Sequence, residues 1–533
     1  MLYCRLHVQR GNQMKSARIS VFVWVMVLLW TAAWPQALSQ KKAVAGSAEQ
    51  KTAAYFESIR NEPSLLMDFL QQMPKGGDLH NHLSGAVYAE TFIRWAVQDG
   101  LCVDRAASSF VVCDAMKENT PASAAYTDVA LYEQLLEAFS MRGLLPAKES
   151  GHDHFFATFG KFGAATNGHT ADMMEEVRSR AARENLQYME LMFNPDNGQA
   201  ADLGKKLGWN NDLATLRQNL LAGGLLEVVA QASHGLDEIE AKEKQDMHCG
   251  EPQAADGCRV EVRYLYQVAR GLSKERVYGQ ILAGFEMASR DPRVVGLNLV
   301  MAEDWYVPIH DFNLHMEMID YLHRQYPKVH ITLHAGELTL QIAEPEDMFH
   351  IRASVEKGNA ERIGHGVDLM HEPKPLDLLK EMAAKHVLVE ICLTSNDVIL
   401  GVTGTRHPLP MYLKYGVPVA LATDDEGVSR GNMTQEYQRA AETYHLSYKD
   451  LKRMARASLT YSFLPGESIW KEKRPGRDAG ACMVAMNSNH PESPCQQLFK
   501  TSQKAAAEAG LEAAFANFES QFARTSVAGK VKK

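Results

Sequence analysis

The sequence predicts a (β/α)₈ barrel preceded by a helical extension, interrupted by inserted loops and followed by a C-terminal helix. Eight short apolar runs, at residues 78–80, 186–192, 260–268, 294–300, 329–333, 362–364, 387–393 and 417–422, alternate with helical stretches, the pattern of a parallel sheet. Many of these runs end in chemically capable side chains: His80 and His82 after the first, His334 and Glu337 after the fifth, His365 after the sixth, Asp424 and Asp425 after the eighth. Periodicity alone does not separate a closed barrel from an open doubly wound sheet. A barrel gathers all its carboxyl strand ends on one face, where one pocket can use them, whereas an open sheet holds its first and last strands apart. The polar residues therefore favour the barrel.

The chain has 533 residues, 46% hydrophobic and 23% charged, a globular composition with material for a large core. Its 56 Lys and Arg against 65 Asp and Glu leave a formal charge of −9, with no clustered basic stripe, which argues against a nucleic-acid polymer as partner. Arg5, Arg10, Lys15 and Arg18 flank an apolar run over residues 19–34, followed by Ala37 and Ser39. This reads as a secretory signal over residues 1–39, cut after Ser39, giving a mature chain with no stable membrane span in the periplasm or the medium. An uncleaved anchor is the alternative, for which the run is short.

Residues 40–75 form the expected helical extension, with one helix over 48–72 that carries Tyr55, Ile59, Leu65, Leu66, Phe69 and Leu70 at apolar positions and suits a lid or a homodimer contact. The barrel is expected over 76–470, with insertions near 100–127 and 196–257, the second containing a helix. Residues 471–533 read as a polar loop and then a helix over 496–523. Of the eight cysteines, six fall into local pairs across loops, Cys102 with Cys113, Cys249 with Cys258 and Cys482 with Cys495, as expected of three disulfides in an oxidising compartment. Cys4 belongs to the signal, and Cys392, in an apolar strand, reads as a reduced buried thiol.

Asp78-Leu79-His80-Asn81-His82 puts two imidazoles on one side of a strand, spaced to reach one metal ion. By itself a His-x-His pair is weak; His152-Asp153-His154 repeats it in a stretch that reads as an amphipathic helix or lid, with its histidines on the surface and its phenylalanines walling a pocket. His334-Ala335-Gly336-Glu337 adds a third imidazole and, beyond a small turn, a carboxyl group able to face substrate, a division of labour suited to metal-assisted hydrolysis. Ile363-Gly364-His365-Gly366 leaves an open imidazole able to touch a water. Thr423-Asp424-Asp425 places adjacent carboxylates at a buried strand end, where they need a cation or donors.

In these motifs, together with Met-Pro-Lys-Gly-Gly at 73–77 and Glu-Ile-Cys-Leu-Thr-Ser-Asn at 390–396, and in their order, the sequence resembles the adenosine deaminase family over roughly residues 73–470. The signal, the cysteine-bearing insertion, the 295–300 segment and Glu303-Asp304 look most like its secreted, growth-factor-type branch. The resemblance implies one zinc ion held by His80, His82, His334 and Asp424, and hydrolytic deamination of a purine nucleoside to its inosine-type product and ammonia. It implies that Glu337 gives a proton to N1, that His365 and Asp425 orient the attacking oxygen, and that Asp425 meets N7. The His-x-Glu and Pro-Cys-x-x-Cys signature of the cytidine-type zinc deaminases is absent.

Ser84, Met301, Glu303 and Asp425 are the candidate substrate contacts, and two of them depart from the family pattern. Ser84 stands where adenosine-specific relatives carry an acid that grips the ribose. Met301-Ala302 stands where a small glycine meets the purine edge, and Leu191-Met192 replaces a Leu-Arg or Val-Arg pair. The zinc chemistry is untouched by these changes, but an altered nucleoside or another aminopurine becomes a live alternative. Another amidohydrolase-type reaction and a non-catalytic secreted binding or signalling protein are the rival readings.

Overall fold

A computed structural model describes residues 46–117, 119–143, 149–473, 475 and 494–525; the expected signal and Cys482 lie outside the described residues. Eight parallel strands, hydrogen-bonded in chain order, form a (β/α)₈ barrel: β1 (Gly76–His82), β2 (Leu186–Phe193), β3 (Glu261–Ala269), β4 (Val294–Val300), β5 (His330–Ala335), β6 (Arg362–His365), β7 (Leu388–Ile391) and β8 (Val419–Leu421). The ring closes beyond β8, where the Asp424 N–H donates to the His80 carbonyl at 2.8 Å and the His82 N–H donates to the Asp424 carbonyl at 3.4 Å. These are the eight apolar runs of the sequence, shifted by a few residues at their ends.

A charged layer crosses the barrel interior beneath the carboxyl strand ends. Arg362 on β6 donates to Glu190 on β2 at 2.5 Å and lies 2.6 Å from Glu390 on β7, with the Phe463 ring 3.7 Å from its guanidinium carbon. All three charged groups are buried. Burial alone would lower the pKa of Arg362, but the carboxylates of Glu190 and Glu390 outweigh it and keep the guanidinium charged. Such a layer is expensive to desolvate and rigid once satisfied.

The insertions keep to the loops. The first folds as a three-stranded antiparallel sheet of Cys102–Asp104, Ser109–Val111 and Thr120–Pro121, clipped by the Cys102–Cys113 disulfide. The second holds three helices, Gln199–Leu207, Leu213–Ala222 and Leu225–Asp246, where the sequence suggested one, and ends in the Cys249–Cys258 disulfide. Gly208 and the Gly223-Gly224 pair divide the helices at their ends. Cys392 is free and buried, as expected. Cys495, buried and disulfide-bonded, has its expected partner outside the described residues. Among the described residues no helix is long and apolar enough to cross a membrane.

The N-terminal extension is two helices, Ala48–Ile59 and Pro63–Gln72, not one. The first opens with a Ser47/Gln50 capping box, and Pro63 starts the second, where its missing N–H costs nothing. Its apolar face packs onto the C-terminal helix Gln503–Thr525: the Phe69 ring lies 5.1–5.9 Å from those of Phe56, Tyr448, Phe518 and Phe522. The same C-terminal helix is pinned by Glu508, Glu512 and Glu519, which accept from Thr460, Arg456 and Lys452. The extension expected as a lid or a dimer contact thus has an intramolecular partner. Replacing Phe69 by Ala is expected to cost about 3–5 kcal/mol of unfolding free energy, read by denaturant titration; a loss within about 1 kcal/mol would contradict this packing role.

Candidate metal and catalytic site

Three imidazoles meet at the carboxyl face of the barrel, each tied down at Nδ1. His80 Nδ1 lies 2.7 Å from Glu390 Oε2, His334 Nδ1 2.9 Å from Asn298 Oδ1, and His82 Nδ1 3.2 Å from Gln267 Oε1. Asn298 Oδ1 also accepts the backbone N–H of His334 at 2.9 Å, which fixes that amide with its oxygen toward the ring. Three oxygen acceptors place the proton of each neutral ring on Nδ1 and turn its Nε2 lone pair inward. Yet His80 Nε2 lies 3.0 Å and His82 Nε2 3.1 Å from His334 Nε2, and Asp424 Oδ1 lies 3.5 Å and 3.3 Å from the first two. Nitrogens and a carboxylate this close need either a shared proton or a cation between them; without metal the His80 Nε2 proton fills that role, and a bound cation would take its place.

The spacing fits zinc. Ligands about 2.0–2.1 Å from one zinc ion stand about 2.9–3.4 Å apart at angles of roughly 90–110°, close to the 3.0–3.5 Å of these four contacts. Burial works against charge at every member. At His80 the Asp424 and Glu390 hydrogen bonds outweigh it and raise the pKa to about 10, whereas burial holds His82 at about 4 and His334 well below its ordinary value. Asp424 is held well below the carboxylate range, against its burial, by the His80 hydrogen bond and the surrounding imidazoles. Ser395 Oγ donates to its other oxygen at 2.5 Å. Gly364 makes the arrangement possible, since a Cβ there would fall 2.6 Å from His80 Cε1.

Around this centre stand three further groups. Burial, followed by the Asp424 and Glu303 charges, raises Glu337 well above the carboxylate range, so it carries a proton; its Oε1 is buried without a hydrogen-bond partner. Asp425, raised by burial and by Asp424, is likewise protonated, with Oδ1 unpartnered. His365, pulled down to about 3 chiefly by burial, is neutral, and its unpartnered Nε2 is buried. His365, Asp424 and Met301 all have left-handed backbone (φ 67°, 57° and 84°), a strained state for residues with side chains that favours functional positions.

These groups line one cavity of about 270 Å³, together with Ser84, Met301, Val300, Gln267, Phe155, Phe156, Phe159 and Trp305. Among the described residues its lining contains no Lys or Arg. The phenylalanines come from the helix Gly151–Phe162, which walls the pocket as expected. Its histidines correct the surface assignment: both are buried, His152 pairing with Asp304 at 2.8 Å and His154 reaching the Glu137 and Ser140 carbonyls at 3.0 Å. They anchor the wall to its neighbours.

Glu303, expected among the substrate contacts, stands apart from the others. It is not part of the cavity lining. It lies behind it, where its carboxylate accepts the N–H groups of Gly336 and Glu337 (2.9 and 2.8 Å) and His350 Nδ1 (2.6 Å). Burial opposes its ionisation, but His350 and Arg270 hold it at about 2. Sequence reasoning assigned no role to Glu390, Asn298, Gln267 or Arg362. The available signal was a polar side chain inside an apolar strand, as in Val-Leu-Val-Glu-Ile at 387–391 and Val-Gly-Leu-Asn-Leu at 295–299.

Fold and site define a (β/α)₈ barrel with an imidazole–carboxylate centre at its carboxyl face. Within that class the chain belongs to the adenosine deaminase family, whose model matches residues 123–471. It is similar to the adenosine deaminase of Klebsiella pneumoniae subsp. pneumoniae, 37% identical over 136 residues, which are 25% of this chain and 38% of that protein. The enzyme of Escherichia coli strain SMS-3-5 is 35% identical over 150 residues, 28% of this chain and 41% of its own. The chain thus spans less than half the length of these relatives. Among solved structures, an Arabidopsis N6-mAMP deaminase covers 75% of this chain and 96% of its own at 22% identity and a TM-score of 0.48. A zinc-bound amidohydrolase from Burkholderia ambifaria covers 87% and 94% at 16% identity and 0.48.

Gly85 leaves room for Asp425, because a Cβ at that position would lie 1.5 Å from Asp425 Oδ1. Gly85→Ala is expected to displace this carboxyl group and lower kcat about a hundredfold while bound metal, measured by mass spectrometry, stays at the parent level. Unchanged turnover would contradict a working role for Asp425 in the cavity.

Proposed function

We propose that this protein is a zinc-dependent hydrolase that deaminates a neutral 6-aminopurine nucleoside, adenosine or a close relative, to its inosine-type product and ammonia. The observation that carries this reading is the convergence of three inward Nε2 atoms and Asp424 beside a protonated Glu337. His80, His82, His334 and Asp424 would hold the zinc, which when bound polarises a water and lowers its pKa toward neutrality. Glu337 donates its proton to N1 of the purine and makes C6 electron-poor. His365 meets the attacking oxygen, and Asp425, protonated, donates to N7. Water adds its oxygen to C6, the C6–N bond breaks, and the two protons of the water end on N1 and on departing ammonia.

The aromatic wall of Phe155, Phe156, Phe159 and Trp305 suits a flat base, and Ser84 can meet a sugar hydroxyl. Among the described residues three carboxyl groups and no Lys or Arg line the cavity, an environment in which a 5′-phosphate would be desolvated without a counter-charge. The two disulfides support the reading of a chain that works in an oxidising compartment after secretion.

The zinc-loaded protein is expected to release inosine and ammonia from adenosine or 2′-deoxyadenosine, with kcat/KM for AMP lower by about a hundredfold or more. Glu337→Gln should lower kcat by about 10²–10⁴. Full activity in that variant, or hydrolysis of esters with every aminopurine left intact, would sink the proposal.

A further inference from the structure

A line of hydrogen bonds runs from a backbone amide to the active-site cavity. The Leu409 N–H donates to His407 Nδ1 at 3.1 Å, and an amide N–H can only donate, so this nitrogen presents a lone pair. His407 is buried, and burial lowers its pKa to about 4; the ring is neutral and its single proton lies on Nε2. That N–H donates to Asn396 Oδ1 at 3.1 Å, which turns the Asn396 NH₂ toward the site. There Asn396 Nδ2 donates to His365 Nδ1 at 3.0 Å. The opposite tautomer of His365 would set two N–H groups against each other across this distance. Flipping Asn396 to relieve them would point its NH₂ at the His407 N–H instead. Leu409, whose N–H cannot be reversed, anchors the series.

We propose that Asn396 and His407 are positioning residues which fix the tautomer of His365, so that it meets the reacting oxygen with an Nε2–H and serves neither as general base nor as metal ligand. The ligand-type atoms of His80, His334, His365 and Asp424 lie within 4.8 Å of one another, so proximity alone would admit His365 as a ligand. Its Nδ1 is already occupied by Asn396, and a protonated Nε2 has no lone pair to give. A fixed donor at this point stabilises the negative charge that grows on oxygen as C6 becomes tetrahedral. The catalytic consequence rests on the deaminase reading; the tautomer does not.

Nitrogen-15 spectra of the zinc-loaded full chain with labelled histidine test the two parts separately, the His365 signals being assigned by their loss in His365→Gln. The parent is expected to show an unprotonated Nδ1 and a protonated Nε2. Asn396→Asp, which replaces the donor by an acceptor of the same shape, is expected to protonate Nδ1 and to lower kcat about tenfold or more, with KM within about threefold. His407→Leu should also lose about tenfold in kcat, and His407→Gln, which retains an N–H donor, should recover most of that loss. A protonated Nδ1 in the parent overturns the proposal whether or not the protein is a deaminase. So does an Asn396→Asp or His407→Leu enzyme as fast as the parent, or a His407→Gln enzyme no faster than His407→Leu. If Asn396→Asp does not fold, the parent spectrum and the His407 pair decide.

Discussion

The hydrogen bond between His80 Nδ1 and Glu390 holds the site in place. It turns the inner nitrogen of His80 toward His334 and Asp424, and it depends on Glu390 remaining ionised inside the barrel. Burial opposes that ionisation, but Arg362 and His80 itself lower the pKa. Arg362 is braced in turn by Glu190 across the barrel, so an ion-pair chain from β2 through β6 and β7 reaches the metal-type centre on β1. A buried ion-pair chain is a poor source of stability but a good source of geometry. Asn298 and Gln267 do the same for the other two rings with neutral amides.

Closure of the barrel and assembly of the site are one event. The last strand joins the first through Asp424, whose main chain pairs with His80 and His82 while its carboxylate faces their rings. A barrel left open would separate Asp424 from the histidines it must join. The strained backbone at Asp424 is held by the same pairing, and that at Met301 by Arg270, whose guanidinium donates to the Met301 and His334 carbonyls. Strain of this kind persists only where the surroundings over-determine it.

Much of this was legible in the sequence because it is local. Apolar runs mark the strands, and His-x-His, His-x-x-Glu and Asp-Asp at their ends mark the residues that face the pocket. What was not legible depends on contacts distant along the chain. Glu390 acquires meaning only when the register of β7 against β6 sets it beside Arg362 and His80. His152 and His154 looked exposed because their helix is amphipathic, and only the packing of that helix supplies Asp304 and the Glu137 and Ser140 carbonyls. Glu303 matched a substrate-contact pattern, but the turn at Gly336 and Glu337 takes both its oxygens. Pro63, by contrast, was visible and could have divided the N-terminal helix.

With metal bound, the three inner imidazole nitrogens carry no protons and, with one carboxylate oxygen, would surround a single cation. Zinc-edge X-ray absorption on purified protein, with metal analysis of the same sample, tests this most directly. About one zinc per chain is expected, with nitrogen and oxygen ligands at about 2.0–2.2 Å and no sulfur at about 2.3 Å. A sulfur-containing shell, or fully active protein without stoichiometric metal, would contradict it.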